Sequence, residues 1–345
     1  LRGKAGWVKV NLPHSLRRLE AKAFETNWFE GGEAYTEEDT MGGVLEIGVQ
    51  PVTVLLNEEL EYIGDNALYG ICNTMLPKKV KYIGANFTLL PSVAFWNASD
   101  VKVQKPDGFY SWEYCYNIAL PEQLEYVSEK GFYFWTPEFS MRAIDGNFTV
   151  LQIPENAKNV PCLSNILVIQ YSVNEKNNKY SSKDGWLFSR DGKKLYRTTS
   201  EIDFSKKQKG REVTFKKISK GTYKTYVRIK EGIEEIASQA FASIVNRSAD
   251  ILDVQFITPN SLKCIDRGAL FENRSYFDTW DDSVTSVKIA GEVPQFTGDI
   301  SPDSAYKRKV YVKKQYREKF IKELFEGQQL SDKQKNQIKK CIIGY

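Results

Sequence analysis

One phrase recurs along the chain and limits what it can fold into more than any other feature. L-P-x-x-L-x-x-I-x-x-x-A-F reads LPHSLRRLEAKAF at 12–24, LNEELEYIGDNAL at 56–68 and LPEQLEYVSEKGF at 120–132. It returns as IKEGIEEIASQAF at 229–241 and TPNSLKCIDRGAL at 258–270, with weaker copies starting at Leu76 and Ile153. The residues ahead of each copy alternate: Val8, Val10 and Leu12; Val52, Val54 and Leu56; Val227 and Ile229. Period two marks a β-strand with one buried face. After the strand the spacing becomes three and four, as in Leu16, Leu19, Ala23 and Phe24, which predicts one or two helical turns folded back over it. Such a unit cannot bury its apolar face alone. Copies must stack, strand beside strand at about 4.8 Å, to share a core.

The shortest spacing between copies, Leu56 to Leu76, is twenty residues, the length of a leucine-rich coil. The fold class expected is therefore an α/β repeat, a leucine-rich-repeat-like solenoid of short parallel strands and helical turns. Three segments interrupt the rhythm. Residues 25–51 are rich in Gly and acids and read as a long loop, and residues 97–117 are rich in aromatics. Residues 164–226 contain SSKDGWLFSRDGKKLYR, whose two Asp-Gly steps allow the positive φ that tight hairpins need, so an inserted β-meander is expected there. Near the end, Tyr316, Phe320 and Leu324 recur at helical spacing before Gly327, predicting a C-terminal capping helix over 313–326. Ser331 with Gln334 fits a capping box opening a second short helix that ends near Cys341. The organisation expected is repeat coils with long loops over 1–163, the meander over 164–226, coils and capping helix over 227–326, and a short helix or tail over 327–345.

The five good copies of the phrase resemble the BspA-like leucine-rich repeat proteins. The block YSSKDGWLFSRDGKKL at 180–195 looks like a segment those proteins carry, and VYVKKQYREKF at 310–320 is similar to their ending, with Lys313 and Phe320 where the family has Pro and Tyr. The matching blocks reach most of the chain and cover roughly half its residues. The resemblance implies a secreted or surface-anchored bacterial protein, of the kind found in gut Bacteroidetes, that binds proteins, host surfaces or matrix without catalysis. It carries over no ligand residues: Leu16, Leu60, Ile63, Leu124, Phe132, Ile233, Ile236 and Phe241 transfer as core positions.

Composition narrows the chemistry. His14 is the single histidine of 345 residues, which removes most hydrolase triads, His-rich metal sites and His acid–base pairs. It sits in the polar turn after a strand, with no nucleophile or ligand cluster beside it in sequence. Cys72, Cys115, Cys162, Cys264 and Cys341 form no C-x-x-C, so structural zinc is not expected and buried free thiols are. Cys115, set among aromatics, has no base but His14 to activate it. No phosphate-binding glycine loop and no G-x-S-x-G occurs, and no apolar run reaches the length of a membrane span. No catalytic residue, cofactor or metal is expected. The sequence opens at Leu1 rather than Met, which reads as either processing or trimming, with any export signal or lipid anchor lost along with the start.

Charge is uneven. Residues 20–65 hold 12 Asp/Glu against one Lys, whereas 205–230 hold ten Lys/Arg against one acid and 303–345 hold twelve against five. The overall balance of +4 gives no reason to expect a nucleic-acid partner. The asymmetry either steers a charged partner or simply solubilises the faces. Aromatics are 13% of the chain. Tyr110, Trp112, Tyr114 and Tyr116 alternate outside the phrase, and Trp135 closes a run of four aromatics. These five are the candidate binding residues, either as an oversized core layer or as a platform that stacks on sugars or a partner. The function expected is non-enzymatic recognition at the extracellular or outer-membrane surface, with a host or matrix protein as partner. The alternative is a glycan-binding accessory lipoprotein of a polysaccharide uptake system, with a surface glycan as ligand.

Overall fold

The computed structural model describes residues 8–25, 34–38, 44–48, 52–69, 76–89, 100–104, 110–128, 132–134, 148–160, 167–198, 213–219, 222–238, 240–241, 251–271, 284–300 and 308–345. Two compact units divide the chain: Leu1–Val168 with Ser172–Lys179, and Ile169–Tyr171 with Tyr180–Tyr345. Most strand pairing in both is parallel, and helices are few, giving an α/β-like repeat fold.

In the first unit the copies at 12–24, 56–68 and 120–132 each go with a strand and then a two-residue strand rather than a strand and a helix. Val8–Asn11 pairs in parallel with Val52–Leu55, with Val10 beside Val54. After a turn comes a two-residue strand: Arg18–Leu19, Tyr62–Ile63, Tyr82–Ile83 and Tyr126–Val127 form one four-stranded parallel sheet. The helical turns expected after the strands are absent at these positions. Hydrogen bonding explains the difference. The N–H of Glu61 donates to Arg17 O (2.8 Å), that of Lys81 to Glu61 O (2.8 Å) and that of Glu125 to Lys81 O (2.9 Å), each reaching the neighbouring coil instead of its own chain four residues back. The three-residue spacing is met by a β-turn, with Leu16 N–H on Pro13 O at 3.0 Å, followed by the short strand.

Inward positions carry the repeat. Leu60, Ile63, Leu68, Val80, Ile83, Leu124 and Val127 are all buried. Coils are fastened by polar side chains as well. The buried Asn57 donates to Pro13 O (2.7 Å) and Leu16 O (3.2 Å) of the previous coil and accepts from the Glu59 N–H. At Gly84 an added Cβ would lie 2.5 Å from Asp65 N, so only glycine allows the coils this close. Three of the coils then turn through a left-handed residue: Lys22, Asn66 and Asn86 have φ of 63°, 54° and 57°. Asn suits that conformation, and Asn86 also donates to Asn66 Oδ1 at 2.8 Å. Residues 25–51, expected as a loop, contain an antiparallel hairpin of Ala34–Glu38 and Val44–Gly48, in which Tyr35, Thr36, Val44 and Ile47 are the strand-favouring types.

In the second unit an antiparallel meander runs through Tyr180–Lys183, Trp186–Ser189 and Lys194–Arg197, inside the 164–226 expected, with Gly185 and Gly192 at positive φ. It is not set apart from the repeats. Lys194–Arg197 pairs in parallel with Glu235–Ile236, which continues to Cys264–Asp266 and Gln295–Thr297. A six-stranded sheet lies in the same unit, ordered Val213–Ser219, Thr222–Arg228, Ile251–Ile257, Val284–Lys288, Lys309–Val312 and Ile342–Gly344. Val227, Phe256, Val287, Val310 and Ile342 stand in one register row of it, and all are buried.

The end of the chain holds a helix at Arg317–Phe325, burying Phe320, Ile321 and Leu324, and a second at Asp332–Cys341 opened by the Ser331/Gln334 capping box. The buried Arg267 clasps the first of these helices, donating to Leu324 O (2.8 Å), Glu323 O (3.3 Å) and Glu326 O (3.1 Å) at its C-terminus. The last residues are more than the helix or tail expected of 327–345, because β-branched Ile342 and Ile343 add a sixth parallel strand.

Candidate functional site

The outward position of the short strands in the first unit carries a continuous stack. Strand pairing brings Arg18, Tyr62, Tyr82 and Tyr126 into one row. The Arg18 guanidinium carbon lies 3.9 Å from the Tyr62 ring centre. Tyr62 and Tyr82 rings are 4.6 Å apart and Tyr82 and Tyr126 4.9 Å apart, each pair inclined by 12°. These spacings are those of neighbouring strands, so the rings inherit their stacking from the backbone. Tyr126 ends the stack, 41% exposed. Burial foremost, with the neighbouring Tyr62, Asp65 and Tyr126 adding to it, pushes the Tyr82 hydroxyl above the ordinary phenol range.

A row of ion pairs runs beside the rings. Lys79 and Arg17 both reach Glu59 (2.6 and 3.2 Å), Lys81 reaches Glu61 (2.9 Å), and Lys158 reaches Glu125 (2.5 Å). Hydrogen bonds from Lys79, Lys81 and Lys158 hold Glu59, Glu61 and Glu125 below the usual carboxylate range. Beyond Tyr126 the sheet is closed by a side chain: Asn159 accepts from the Val127 N–H at 2.9 Å and donates to the Val127 carbonyl, as a further strand would.

The second unit keeps the backbone rung and changes what it displays. Lys194, Glu235, Cys264 and Gln295 take the place of the stacked residues. Lys193 and Lys263 both pair with Glu234 (3.4 and 2.9 Å), and Lys194 pairs with Glu235 (3.1 Å). Its six-stranded sheet carries aromatic and basic residues on the face opposite its buried row, where Gln255, Ile257 and Ser286 are buried as well. One row there runs Tyr226, Gln255, Ser286, Lys309, and the next Arg228, Ile257, Lys288, Tyr311, Ile343. Lys224 Nζ lies 5.8 Å from the Tyr226 ring centre and 6.0 Å from that of Tyr311, and Lys288 Nζ lies 3.9 Å from that of Tyr345.

Of the residues singled out from sequence, Tyr110, Trp112, Tyr114 and Tyr116 lie on the strand Tyr110–Ala119. Tyr110, Trp112 and Tyr114 pair with Gln104, Lys102 and Asp100 in an antiparallel ladder, and Tyr116 with Thr149 in a parallel one. Trp135 lies outside the described residues. The stack at Tyr62, Tyr82 and Tyr126 escaped sequence reasoning because it occupies variable positions of the phrase. LEYIG, VKYIG and LEYVS held the signal: the same aromatic at the same offset in three copies.

His14 is exposed in its turn. Cys264 and Cys341 are free thiols, half-buried rather than buried as expected, while Cys72 and Cys162 lie outside the described residues. Among the described residues no three His, Cys, Asp or Glu side chains gather to hold a metal, and no helix is long and apolar enough to cross a membrane.

No protein-family model matches the chain, and no curated protein matches it. Among solved structures it is similar to the crystal structure of the pneumococcal vaccine antigen PcpA, at 14% identity and a TM-score of 0.31, over 100% of this chain and 91% of that one. A likeness that distant assigns neither fold nor role.

Proposed function

We propose that this is a non-catalytic recognition protein of a bacterial surface, of the BspA-like leucine-rich repeat kind, whose stacked coils form a solenoid and display a binding strip. The single observation behind the reading is the row Arg18, Tyr62, Tyr82, Tyr126 on an outward face, ended by a ring that is 41% exposed. Tyrosine and arginine supply large, stiff contact area at low ordering cost, and a strip fixed by strand pairing is already organised before binding.

The partner proposed for this strip is a protein, of host or matrix origin. Sugar stacking requires an open ring face. Both faces of Tyr62 and Tyr82 are taken by their neighbours in the row, which leaves edges, hydroxyls and the outer part of Tyr126. That surface suits side chains and backbone of a docked polypeptide, with the ion-pair row as a polar rim. The test is capture of fibronectin, fibrinogen and collagen by the full chain and by Tyr82→Ala/Tyr126→Ala. One of the three is expected to bind, and the double variant to bind it about thirtyfold more weakly with its melting midpoint little changed. Binding unaffected by the double substitution removes this strip from the reading.

A further inference from the structure

We infer that the tyrosine row of the first unit takes an uncharged polypeptide segment in the polyproline II conformation, laid along the stack and across the strands. The inference rests on the recognition reading and names the conformation that its protein partner offers.

Period comes first. The Tyr62 and Tyr82 ring centres are 4.6 Å apart and those of Tyr82 and Tyr126 4.9 Å apart. Ring spacing and strand spacing agree, so the side chains leave their strands in one direction and their hydroxyls recur at the same interval. Two rungs therefore span about 9.5 Å. A polyproline II chain rises about 3.1 Å per residue with three residues per turn, so each of its faces returns about every 9.3 Å. An extended strand repeats a face about every 6.7 Å, and an α-helix completes a turn about every 5.4 Å. Of the three, only polyproline II comes back into register within the length of this row.

The chemistry of the row fits the backbone of such a segment. Arg18 and Tyr126 are exposed and Tyr62 and Tyr82 half-buried, so the row is open along its length. Among the described residues no partner meets the hydroxyls of Tyr62, Tyr82 and Tyr126. Polyproline II has no internal hydrogen bonds, and its carbonyls are free to accept. Tyr62 and Tyr126 then donate to carbonyls one turn apart, while the Tyr82 edge between them meets the apolar flank of the segment. A chain already held in this conformation by proline gives up little freedom on docking.

Charge points to an uncharged occupant. Glu59, Glu61 and Glu125 beside the rings are each met by a lysine, and Arg18 is met by Glu20. A strip balanced in this way complements a neutral segment and offers neither a polyanion nor a polycation an unanswered partner.

The experiment measures binding of the full chain to end-blocked deca-proline, a Gly-Ser peptide of the same length and deca-glutamate, at low and high salt. Deca-proline is expected to bind about tenfold more tightly than either, with little change as salt rises. It is expected to lose about tenfold in affinity in Tyr82→Ala/Tyr126→Ala, and about fivefold in Tyr62→Phe/Tyr82→Phe/Tyr126→Phe, which keeps the rings and removes the hydroxyls. It is also expected to displace any matrix protein that the strip captures. Capture that is lost in the Ala variant yet resists deca-proline keeps the strip and overturns this inference. Deca-proline binding with no matrix protein captured upholds the inference and removes those partners instead. Equal binding of the Gly-Ser peptide or deca-glutamate, or undiminished affinity in the Phe variant, each overturns it.

Discussion

In the first unit the outward position of each short-strand rung holds Arg18, Tyr62, Tyr82 and Tyr126; in the second it holds Lys194, Glu235, Cys264 and Gln295. The inward neighbours scarcely change in kind: Leu19, Ile63, Ile83 and Val127 against Leu195, Ile236, Ile265 and Phe296. Register is set by the inward row, because slipping one residue would expose it. The outward row is then free to vary, and the same rung becomes an aromatic strip in one place and a polar one in another.

The comparison is tested most severely at the core. Ile83→Ala and Ile265→Ala each remove a fully buried side chain from an equivalent rung, and each is expected to cost about 2–5 kcal/mol. Denaturant titrations of the two variants should give losses of similar size. A loss confined to one variant breaks the equivalence of the rungs.

Polar fastening between coils comes next. Asn57→Ala leaves the carbonyls of Pro13 and Leu16 and the Glu59 N–H without their partner, at a cost of about 3 kcal/mol. The nearest counterpart in the second unit is Ser261, whose hydroxyl donates to Ile233 O (2.9 Å) and accepts from the Gly232 N–H (2.9 Å). With fewer bonds at stake, Ser261→Ala is expected to lose about 1 kcal/mol in the same assay. Equal losses would mean that the asparagine side chain carries no extra share of coil-to-coil cohesion.

A smaller effect has the opposite sign. Lys22 holds φ of 63° where the two coils that follow use Asn66 and Asn86. Lys22→Asn is expected to raise stability by about 0.5–1 kcal/mol, read as a higher unfolding midpoint.

Acidification gives the shallowest difference. Glu59, Glu61 and Glu125 are held low by lysines, as is Glu234 in the second unit. A carboxyl with a depressed pKa contributes stability above its unfolded value and loses it as pH falls through the folded one. Midpoints should therefore drop gently below the ordinary carboxylate range, and the drop should shrink by similar amounts in Glu61→Gln and Glu234→Gln. These pairs are exposed, so added salt should flatten the slope.

Sequence reading succeeded where periodicity carries the physics. The two-residue alternation of Val8, Val10, Val52 and Val54 named strands that pair in register, and Phe320 with Leu324 named a helix face. The Ser331 capping box was legible because its two hydrogen bonds are local. It failed where the partner is remote. Whether Leu16 and Leu19 begin a helix or a turn and short strand depends on where the neighbouring N–H groups go, and the Glu61 N–H finds a partner 44 residues back, at Arg17. The tyrosine row was missed for the same reason: it exists only once coils 20 and 44 residues apart stand side by side. Sequence proximity favoured Tyr110–Tyr116 instead, where a dense cluster lies on a single strand.

Asn159 has a consequence for assembly. A column of identical edges has no built-in reason to stop, and an unfinished edge invites a further copy from another molecule. By lending its amide to both backbone groups of Val127, one residue supplies the terminus that the repeating geometry lacks. The coil at 153–160 lies over that edge as well, with the Lys158 N–H on Glu125 O at 2.8 Å, so leucine at 159 would leave both buried Val127 groups without a partner rather than an edge open to another molecule.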